Sequence, residues 1–301
     1  MKNTFISMLL FSALCAISPA QAALRVMACE PEWGALVQEL AGDKASVYVA
    51  TTAHQDPHHI QARPSLIASV RNADLLVCTG AELEVGWLPV LLRQSGNAGV
   101  QSGQPGNFAA ADFVTKLEVP TRLDRADGDV HAAGNPHIQT DPRNIAKVAE
   151  PLATRLAQLD PANAAYYRSR AQDFSARWQA AIQRWSKEAA PLRGMHIIVH
   201  HKAYAYLEDW LGLIEDGSLE PKPGVEPSSA HLAELLAQQQ RQPARLIVSS
   251  AYLDQRPVEW LSSRTRLPAA VLPFTVGGSG RAKDLFGLFD DTLAELQNGL
   301  K

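Results

Sequence analysis

Two stretches of the chain alternate short apolar strands with helical segments, and a long helical stretch separates them. In the first half, strands are predicted at residues 24–28, 46–50 and 74–77. In the second half, strands are predicted at residues 195–200, 245–249 and 269–272. Short apolar strands with intervening helices predict a parallel sheet that is covered by helices on both faces. The pattern therefore favours an α/β fold with two lobes, each built on one parallel sheet.

The middle of the chain is predicted to be helical. Apolar residues recur at steps of three and four between residues 167 and 185, which is typical of one buried helical face. A helix over residues 161–189 would span about 43 Å at about 1.5 Å per residue, which is long enough to connect two lobes. We expect an N-terminal lobe at residues 23–140, a helical linker at 141–193 and a C-terminal lobe at 194–301.

The first 22 residues have the composition of an export signal. Lys2 supplies a positive start, an apolar run follows at residues 5–17, and Ala20-Gln21-Ala22 is a cleavage site of the small-x-small type. The apolar run is too short to span a bilayer as a helix. We therefore expect residues 1–22 to be a cleavable signal peptide and the protein to be released into a bacterial periplasm.

Two cysteines, Cys29 and Cys78, lie beyond the predicted signal, each at the end of a predicted strand. A cysteine pair in an exported protein can form a disulfide. However, free cysteine is often buried as a small apolar residue, and directly opposed residues on parallel neighbours fit disulfide geometry poorly. We favour two separate cysteines and leave the disulfide as the alternative.

All nine histidines lie beyond residue 53, and most of them fall in clusters at residues 54–59, 131–137 and 200–201. Two clusters directly follow predicted strands, where α/β proteins place their sites. Imidazole is neutral near pH 7 and binds borderline metals such as zinc. Because the chain has no His-Glu-x-x-His or Cys-x-x-Cys motif, the ligands must come from distant segments. A cleft between two lobes would bring such segments together.

Seven short motifs follow one another along the chain: QDPH (55–58), RPS (63–65), NAD (72–74), GAELE (80–84), GNPH (134–137), HKAYAYL (201–207) and GVEPS (224–228). In this order they resemble the periplasmic zinc-binding proteins and metal-binding lipoproteins that serve as solute-binding proteins of ABC transporters. The resemblance covers the whole chain beyond the predicted signal. It implies two α/β lobes joined by a long rigid helix, with a metal ion buried between them.

The resemblance implies that the histidines of three of these motifs are metal ligands: His58 of QDPH, His137 of GNPH and His201 of HKAYAYL. Pro57 fixes the backbone just before His58, which suits a preorganised ligand. The competitor of His201 is His200, and strand alternation sends the two side chains to opposite faces, so that only one can face the site. The spacing to the residues that follow favours His201.

The fourth coordination position is less constrained by motif. Members of this family often place an aspartate in the loop before the final helix, and Asp284 is the only carboxylate of residues 273–284. We expect Asp284 to be the fourth ligand, although an aspartate at a helix start is commonly a cap, so that water or His131 is the alternative. Three imidazoles with at most one carboxylate favour Zn²⁺ over Mn²⁺, with Cu²⁺ as a further alternative.

The resemblance implies a solute-binding protein, not an enzyme, that captures Zn²⁺ in the periplasm and delivers it to an ABC-type metal importer. Its expected partner is a permease in the inner membrane, and we expect a monomer. The mild formal net charge of −3 argues against nucleic acid as a partner. The alternative is an exported zinc-dependent hydrolase, because three histidines with an open water position are also a catalytic arrangement. A hydrolase needs a general base, and no motif supplies one.

Overall fold

The computed structural model describes residues 22–122, 128–241 and 243–300. Its strands are β1 (Leu24–Ala28), β2 (Ala45–Val49), β3 (Leu75–Cys78), β4 (Asn107–Ala109), β5 (His196–Val199), β6 (Ile214–Ser218), β7 (Leu246–Ser250) and β8 (Ala269–Leu272). Its helices are α1 (Pro31–Ala41), α2 (Pro64–Asn72), α3 (Leu88–Ser95), α4 (Pro142–Leu159), α5 (Ala164–Glu188), α6 (Ala205–Leu211), α7 (Ser229–Arg241), α8 (Arg256–Thr265) and α9 (Leu285–Asn298). The predicted α/β fold with two lobes is confirmed.

The two sheets share one topology. Their strand orders are β2-β1-β3-β4 and β6-β5-β7-β8, and all neighbouring strands are parallel. In each sheet the direction of winding reverses between the two central strands, β1 and β3 or β5 and β7. Open α/β sheets bind their ligands outside the carboxyl ends of the strands at such a switch point. Each lobe therefore has one sheet edge that is suited to a site.

Burial explains which strands the sequence predicts. The central strands β3 and β7 are buried at every residue, as a parallel strand covered on both faces must be. Strand β3 (LLVC) reads as a continuous apolar run, and β7 (LIVSS) begins with one. Among the edge strands of the described ranges, β2 and β8 were predicted, whereas β4 and β6 were not. Strand β4 has only three residues, and β6 has the polar sequence IEDGS, so neither carries an apolar pattern.

The long helix α5 has 25 residues, or about 38 Å at about 1.5 Å per residue. It starts slightly later than predicted, because Pro161–Asn163 forms a separate 3₁₀ turn. Its buried face carries Trp178, whose ring centroid lies 4.8 Å from that of Phe286 and 5.6 Å from that of Phe289, both on α9.

This aromatic contact belongs to a hydrophobic core that is continuous between the lobes. The same cluster of buried side chains includes Val26 of β1, Trp178 of α5, Ile197 of β5 and Leu296 of α9. Because interiors are close-packed and resist deformation, a shared core opposes large movements of one lobe against the other.

Cys29 and Cys78 form a disulfide, which corrects our preference for two separate cysteines. Strands β1 and β3 pair up to Ala28 and Val77, and the cysteines are the next residues on each strand. Their Cα atoms are 4.7 Å apart, within the range of about 4.4–6.8 Å that disulfides span. Opposed positions on these parallel strands are therefore close enough to be bridged.

The predicted export signal, residues 1–22, lies outside the described residues apart from Ala22. Among the helices of the described ranges, none combines the length and the apolar composition of a membrane span. The boundaries that we predicted for the lobes and the linker stay a prediction.

Replacing Trp178 by alanine tests the importance of the shared core. The Trp178 side chain is fully buried, so Trp178→Ala should lower the free energy of unfolding by about 3–5 kcal/mol. The matched control is Gln179→Ala, the exposed next residue of α5, which should change it by less than about 0.5 kcal/mol. Urea unfolding followed by far-UV circular dichroism measures both. Equal effects of the two substitutions would contradict a core that depends on Trp178.

Candidate metal centre

The structure brings His58, His137 and His201 together. One ring nitrogen from each lies within 4.8 Å of one ring nitrogen from each of the others. The ring centroids are 5.3 Å apart for His58 and His137, 5.7 Å for His58 and His201, and 5.4 Å for His137 and His201. In a tetrahedral zinc site with Zn–N distances of about 2.0–2.1 Å, the nitrogens would be about 3.3 Å apart. Small side-chain rotations would therefore suffice to reach that geometry.

Each of these imidazoles comes from a different part of the fold. His58 lies in the loop between β2 and α2, His137 directly precedes the 3₁₀ turn Ile138–Thr140 that leads into α4, and His201 follows β5 by two residues. Their exposed fractions are only 7%, 1% and 6%. The site is thus a buried junction between the N-terminal lobe, the segment before the helical linker, and the C-terminal lobe.

Carboxylates orient two of the three rings. Nδ1 of His58 lies 2.7 Å from Oδ1 of Asp56, and Nδ1 of His201 lies 2.7 Å from Oε2 of Glu220. A carboxylate accepts a hydrogen bond, so each Nδ1 carries the proton and each Nε2 keeps its lone pair. Nε2 of His58 is buried and has no hydrogen-bond partner among the described residues. These two rings therefore present bare nitrogens to the space between them.

The backbone around His137 is held by Asn135. Its Oδ1 accepts a hydrogen bond from the backbone N–H of His137 at 3.0 Å, and its Nδ2 donates to the carbonyl of Lys202 at 2.8 Å. The hydroxyl of Tyr206 donates to the carbonyl of Asn135 at 2.7 Å. This network fixes the segment that carries His137 against the loop that carries His201.

The electrostatics keep His137 uncharged. Burial, and next the nearness of the His58 and His201 rings, lower the pKa of His137 well below its usual value. Its Nδ1 is buried without a hydrogen-bond partner in the described part of the chain. A neutral imidazole is the form that binds a metal ion, so this environment preserves a competent ligand.

His131 lies beside the three histidines but is not one of the close group. Its ring stacks on that of His58 at a centroid distance of 5.3 Å, and it lines a cavity of about 220 Å³ together with His137 and His201. Burial, and next the nearness of His58, lower the pKa of His131 to about 4. Exposed Glu82 accepts a hydrogen bond from the backbone N–H of Ala132 and so holds the loop of His131 in place.

The structure does not place Asp284 with the histidines, which corrects our expectation of a fourth ligand. Its carboxylate caps α9 by accepting a hydrogen bond from the backbone N–H of Gly287 at 2.7 Å, and the residue is exposed. A ligand and a helix cap have the same sequence signature, an aspartate just before a helix. Here the cap accounts for Asp284.

His200 and His201 separate as strand alternation predicts. Nδ1 of His200 lies 3.1 Å from the hydroxyl oxygen of Ser249, on the neighbouring strand β7, whereas His201 joins His58 and His137. His200 is thus a buried residue that is bonded within its own lobe.

The carboxylates that orient His58 and His201 were not predicted from the sequence. Asp56 lies inside the QDPH motif, two residues before His58, so its position was visible but its role was not. Glu220 comes two residues after β6, an unpredicted strand, and no motif marks it. Only the fold brings it to His201.

The sequence profile of the family described as "Zinc-uptake complex component A periplasmic" matches residues 26–299. The chain belongs to this family.

Curated relatives and solved structures agree with the family. A high-affinity zinc uptake system protein ZnuA of Paracoccus denitrificans is 27% identical over 261 residues, covering 75% of this chain and 76% of that protein. The metal ABC transporter substrate-binding lipoprotein SloC of Streptococcus mutans is 22% identical and covers 88% of this chain and 86% of its own length. A crystal structure of a ZnuA has the same fold, with a TM-score of 0.77, 21% identity, and coverage of 93% of this chain and 100% of that one.

Membership of this family makes the chain a solute-binding protein of a metal ABC importer and not an enzyme. The hydrolase alternative is therefore not supported. Three histidines resemble a hydrolase site because proteins that only bind zinc and enzymes that use it for catalysis hold the ion with the same nitrogen donors.

A buried carboxyl also connects the lobes close to the centre. Glu32 of α1 accepts a hydrogen bond from the hydroxyl of Thr275, in the loop after β8. Phe274, the preceding residue, packs its ring against His137 at a centroid distance of 5.5 Å. Burial raises the pKa of Glu32 from 4.5 to about 7, although the Thr275 hydrogen bond acts to lower it.

Glu32 should therefore make the stability of the metal-free protein depend on pH. A carboxyl with a raised pKa in the folded state stabilises the fold fully below its unfolded pKa, and this contribution is lost as pH rises through the folded pKa of about 7. Glu32→Gln removes the titration and keeps an acceptor for Thr275. The free energy of unfolding, measured in urea between about pH 5 and pH 8, should fall less in Glu32→Gln than in the parent chain.

The control is Glu150→Gln, which changes an exposed carboxyl of α4 and should leave the pH dependence as in the parent. If Glu32→Gln and the parent chain lost the same stability over this range, the role given to Glu32 would be wrong.

Proposed function

We propose that this protein captures Zn²⁺ at His58, His137 and His201 and delivers it to a membrane permease that is driven by an ATPase. The observation that carries the proposal is the convergence of three buried imidazoles from three separate segments. Two of the rings are oriented by carboxylates, and the third is kept neutral by burial. Apolar residues would fill the same buried space with a smaller desolvation penalty, so packing alone does not explain the cluster.

The donor set supports zinc as the cargo. Three nitrogen donors without a carboxylate in the close group suit a borderline ion, whereas manganese and other hard cations prefer more oxygen ligands. Relatives in this family differ in their metals, since one is named for zinc uptake and another is a manganese ABC transporter lipoprotein, PsaA of Streptococcus anginosus. Copper also binds nitrogen sites strongly, so competition between Zn²⁺, Mn²⁺ and Cu²⁺ tests the assignment.

We assign the fourth coordination position to water. The cavity beside the three histidines reaches the cluster, and polar groups line it, including Glu118, Asp129 and Lys202. His131 lies at this cavity and stacks on His58, where it can receive an incoming ion before the buried ligands do. His131→Ala should therefore weaken zinc binding less than loss of any of the three buried histidines.

We further propose that residues 1–22 are cleaved on export and that the mature protein acts as a monomer in the periplasm. Lobes at residues 23–140 and 194–301, with a linker at 141–193, would then hold the ion between them. Since one hydrophobic core serves both lobes, release needs the permease to disturb the loops that carry the ligands and not a wide opening of the cleft.

Loss of one central ligand should abolish tight zinc binding. The parent chain should bind one Zn²⁺ tightly in isothermal titration of metal-free protein, and His137→Ala should lose this site because His137 contacts both other histidines. The matched control is His54→Ala, an exposed histidine four residues before His58, which should bind zinc as the parent does. Unchanged affinity in His137→Ala would remove the proposed centre.

Orientation of His58 by Asp56 should contribute to affinity. Asp56→Asn keeps the shape of the side chain but removes the charge that fixes the tautomer of His58, and such outer partners typically contribute about 10–100-fold in metal affinity. Competition with a chromophoric chelator gives the ratio of dissociation constants. The control Asp254→Asn changes an exposed loop carboxylate that pairs with Arg256 and should have no effect. If both variants bound zinc equally well, Asp56 would have no positioning role.

A further inference from the structure

The N-terminal lobe has a second cluster of metal-binding side chains, at the switch point of its own sheet. Cys29 follows β1, Cys78 ends β3, and these two strands are neighbours across the switch point. Both sulfurs lie within 4.8 Å of a carboxylate oxygen of Glu84, and all three residues are buried. The cluster thus occupies the position at which the C-terminal lobe places His200 and His201.

A second carboxylate, Glu30, converges on the same place. The backbone N–H of Thr79 donates to Oε1 of Glu84 at 2.7 Å and lies 3.2 Å from Oε2 of Glu30. Oε2 of Glu30 also accepts from the hydroxyl of Thr79 at 3.1 Å, and this hydroxyl accepts from Nε1 of Trp33 at 2.7 Å. Only 3% of Glu30 is exposed. Its Oε1 is buried and has no hydrogen-bond partner among the described residues.

The pair of carboxyls lacks a positive partner. No lysine or arginine in the described ranges forms a salt bridge with Glu30 or Glu84. Burial raises the pKa of Glu84 to about 7, and burial and then the charge of Glu84 raise that of Glu30 well above its usual value. Two buried carboxyls with one oxygen unsatisfied are costly unless a proton or a cation lies between them.

We infer that reduction of the Cys29–Cys78 disulfide opens a second metal site, which binds a thiophilic divalent cation such as Zn²⁺ or Cd²⁺ through both thiolates, Glu84 and Glu30. The site is closed in the disulfide form because the sulfurs carry no charge. This inference concerns residues other than the three histidines and does not depend on the proposed function.

The reaction balances with a dithiol as the reductant. Thiol–disulfide exchange breaks the Cys29–Cys78 bond, leaves two thiols on the protein, and converts the dithiol to its own disulfide. Binding of the cation then displaces the two thiol protons and any proton held by the carboxyl pair. Two sulfurs at about 2.3 Å from a tetrahedral ion are about 3.8 Å apart, which rotation of the cysteine side chains can supply.

The test uses the full chain with His58→Ala and His137→Ala, so that the histidine centre cannot bind. The disulfide form should take up no zinc tightly. After reduction with an excess of a dithiol, complete removal of the reagent without oxygen, and a count of two free thiols, the same protein should bind one Zn²⁺. Substitution with Co²⁺ should give the near-ultraviolet absorption of thiolate-to-cobalt charge transfer.

Two further variants separate a built site from loose thiols. Glu84→Gln in this background should weaken zinc binding by more than the about 10–100-fold that is typical of partners outside the ligand shell. By contrast, Glu234→Gln, which changes an exposed residue of α7, should leave zinc binding unchanged. Cys29→Ser with Cys78→Ser should bind no zinc in either state. Two free thiols without zinc binding would overturn the inference. So would zinc binding that Glu84→Gln leaves unchanged, as is expected if reduction merely unfolds the lobe.

Discussion

Bare imidazole nitrogens enclosed away from water are the feature on which this arrangement depends. A buried nitrogen lone pair without a donor is unfavourable. The chain gathers three imidazoles from three segments at one place, and Nε2 of His58 and Nδ1 of His137 are buried there without a hydrogen-bond partner among the described residues. Asp56 and Glu220 fix two rings from behind, and Asn135 holds the third segment. The shared core around α5 holds the lobes that carry them. The three rings are therefore held in place by the protein itself, and such preorganisation lowers the entropic cost of binding an ion between them.

The two lobes use one topology for two kinds of chemistry. In both sheets the winding reverses between the central strands, and in both a metal-binding residue type directly follows the first of them, Cys29 after β1 and His200 after β5. The C-terminal lobe has imidazoles there, and His201 turns toward the cleft. The N-terminal lobe has two sulfurs and two carboxyls, which face one another within the lobe. The edge of an open parallel sheet thus offers a site, and the side chains decide which ion it suits.

Apolar strands and recognisable motifs could be predicted from the sequence. Residues that are distant in the chain and meet only in the fold could not. Central strands such as β3 and β7 are visible because both of their faces are buried, whereas β4 has only three residues and β6 is polar. The three histidines were found through their motifs. Asp284 was misassigned because a helix cap and a ligand look alike, and Glu220 reaches His201 only through the unpredicted strand β6.

X-ray absorption spectroscopy of the zinc-loaded protein, with its disulfide intact, tests the central claim most directly. We expect a first shell of four light ligands, nitrogen or oxygen, at about 2.0–2.1 Å, with the multiple scattering of three imidazoles and no sulfur. A shell with fewer than three imidazoles, or one that contains sulfur, would contradict a centre built from His58, His137 and His201.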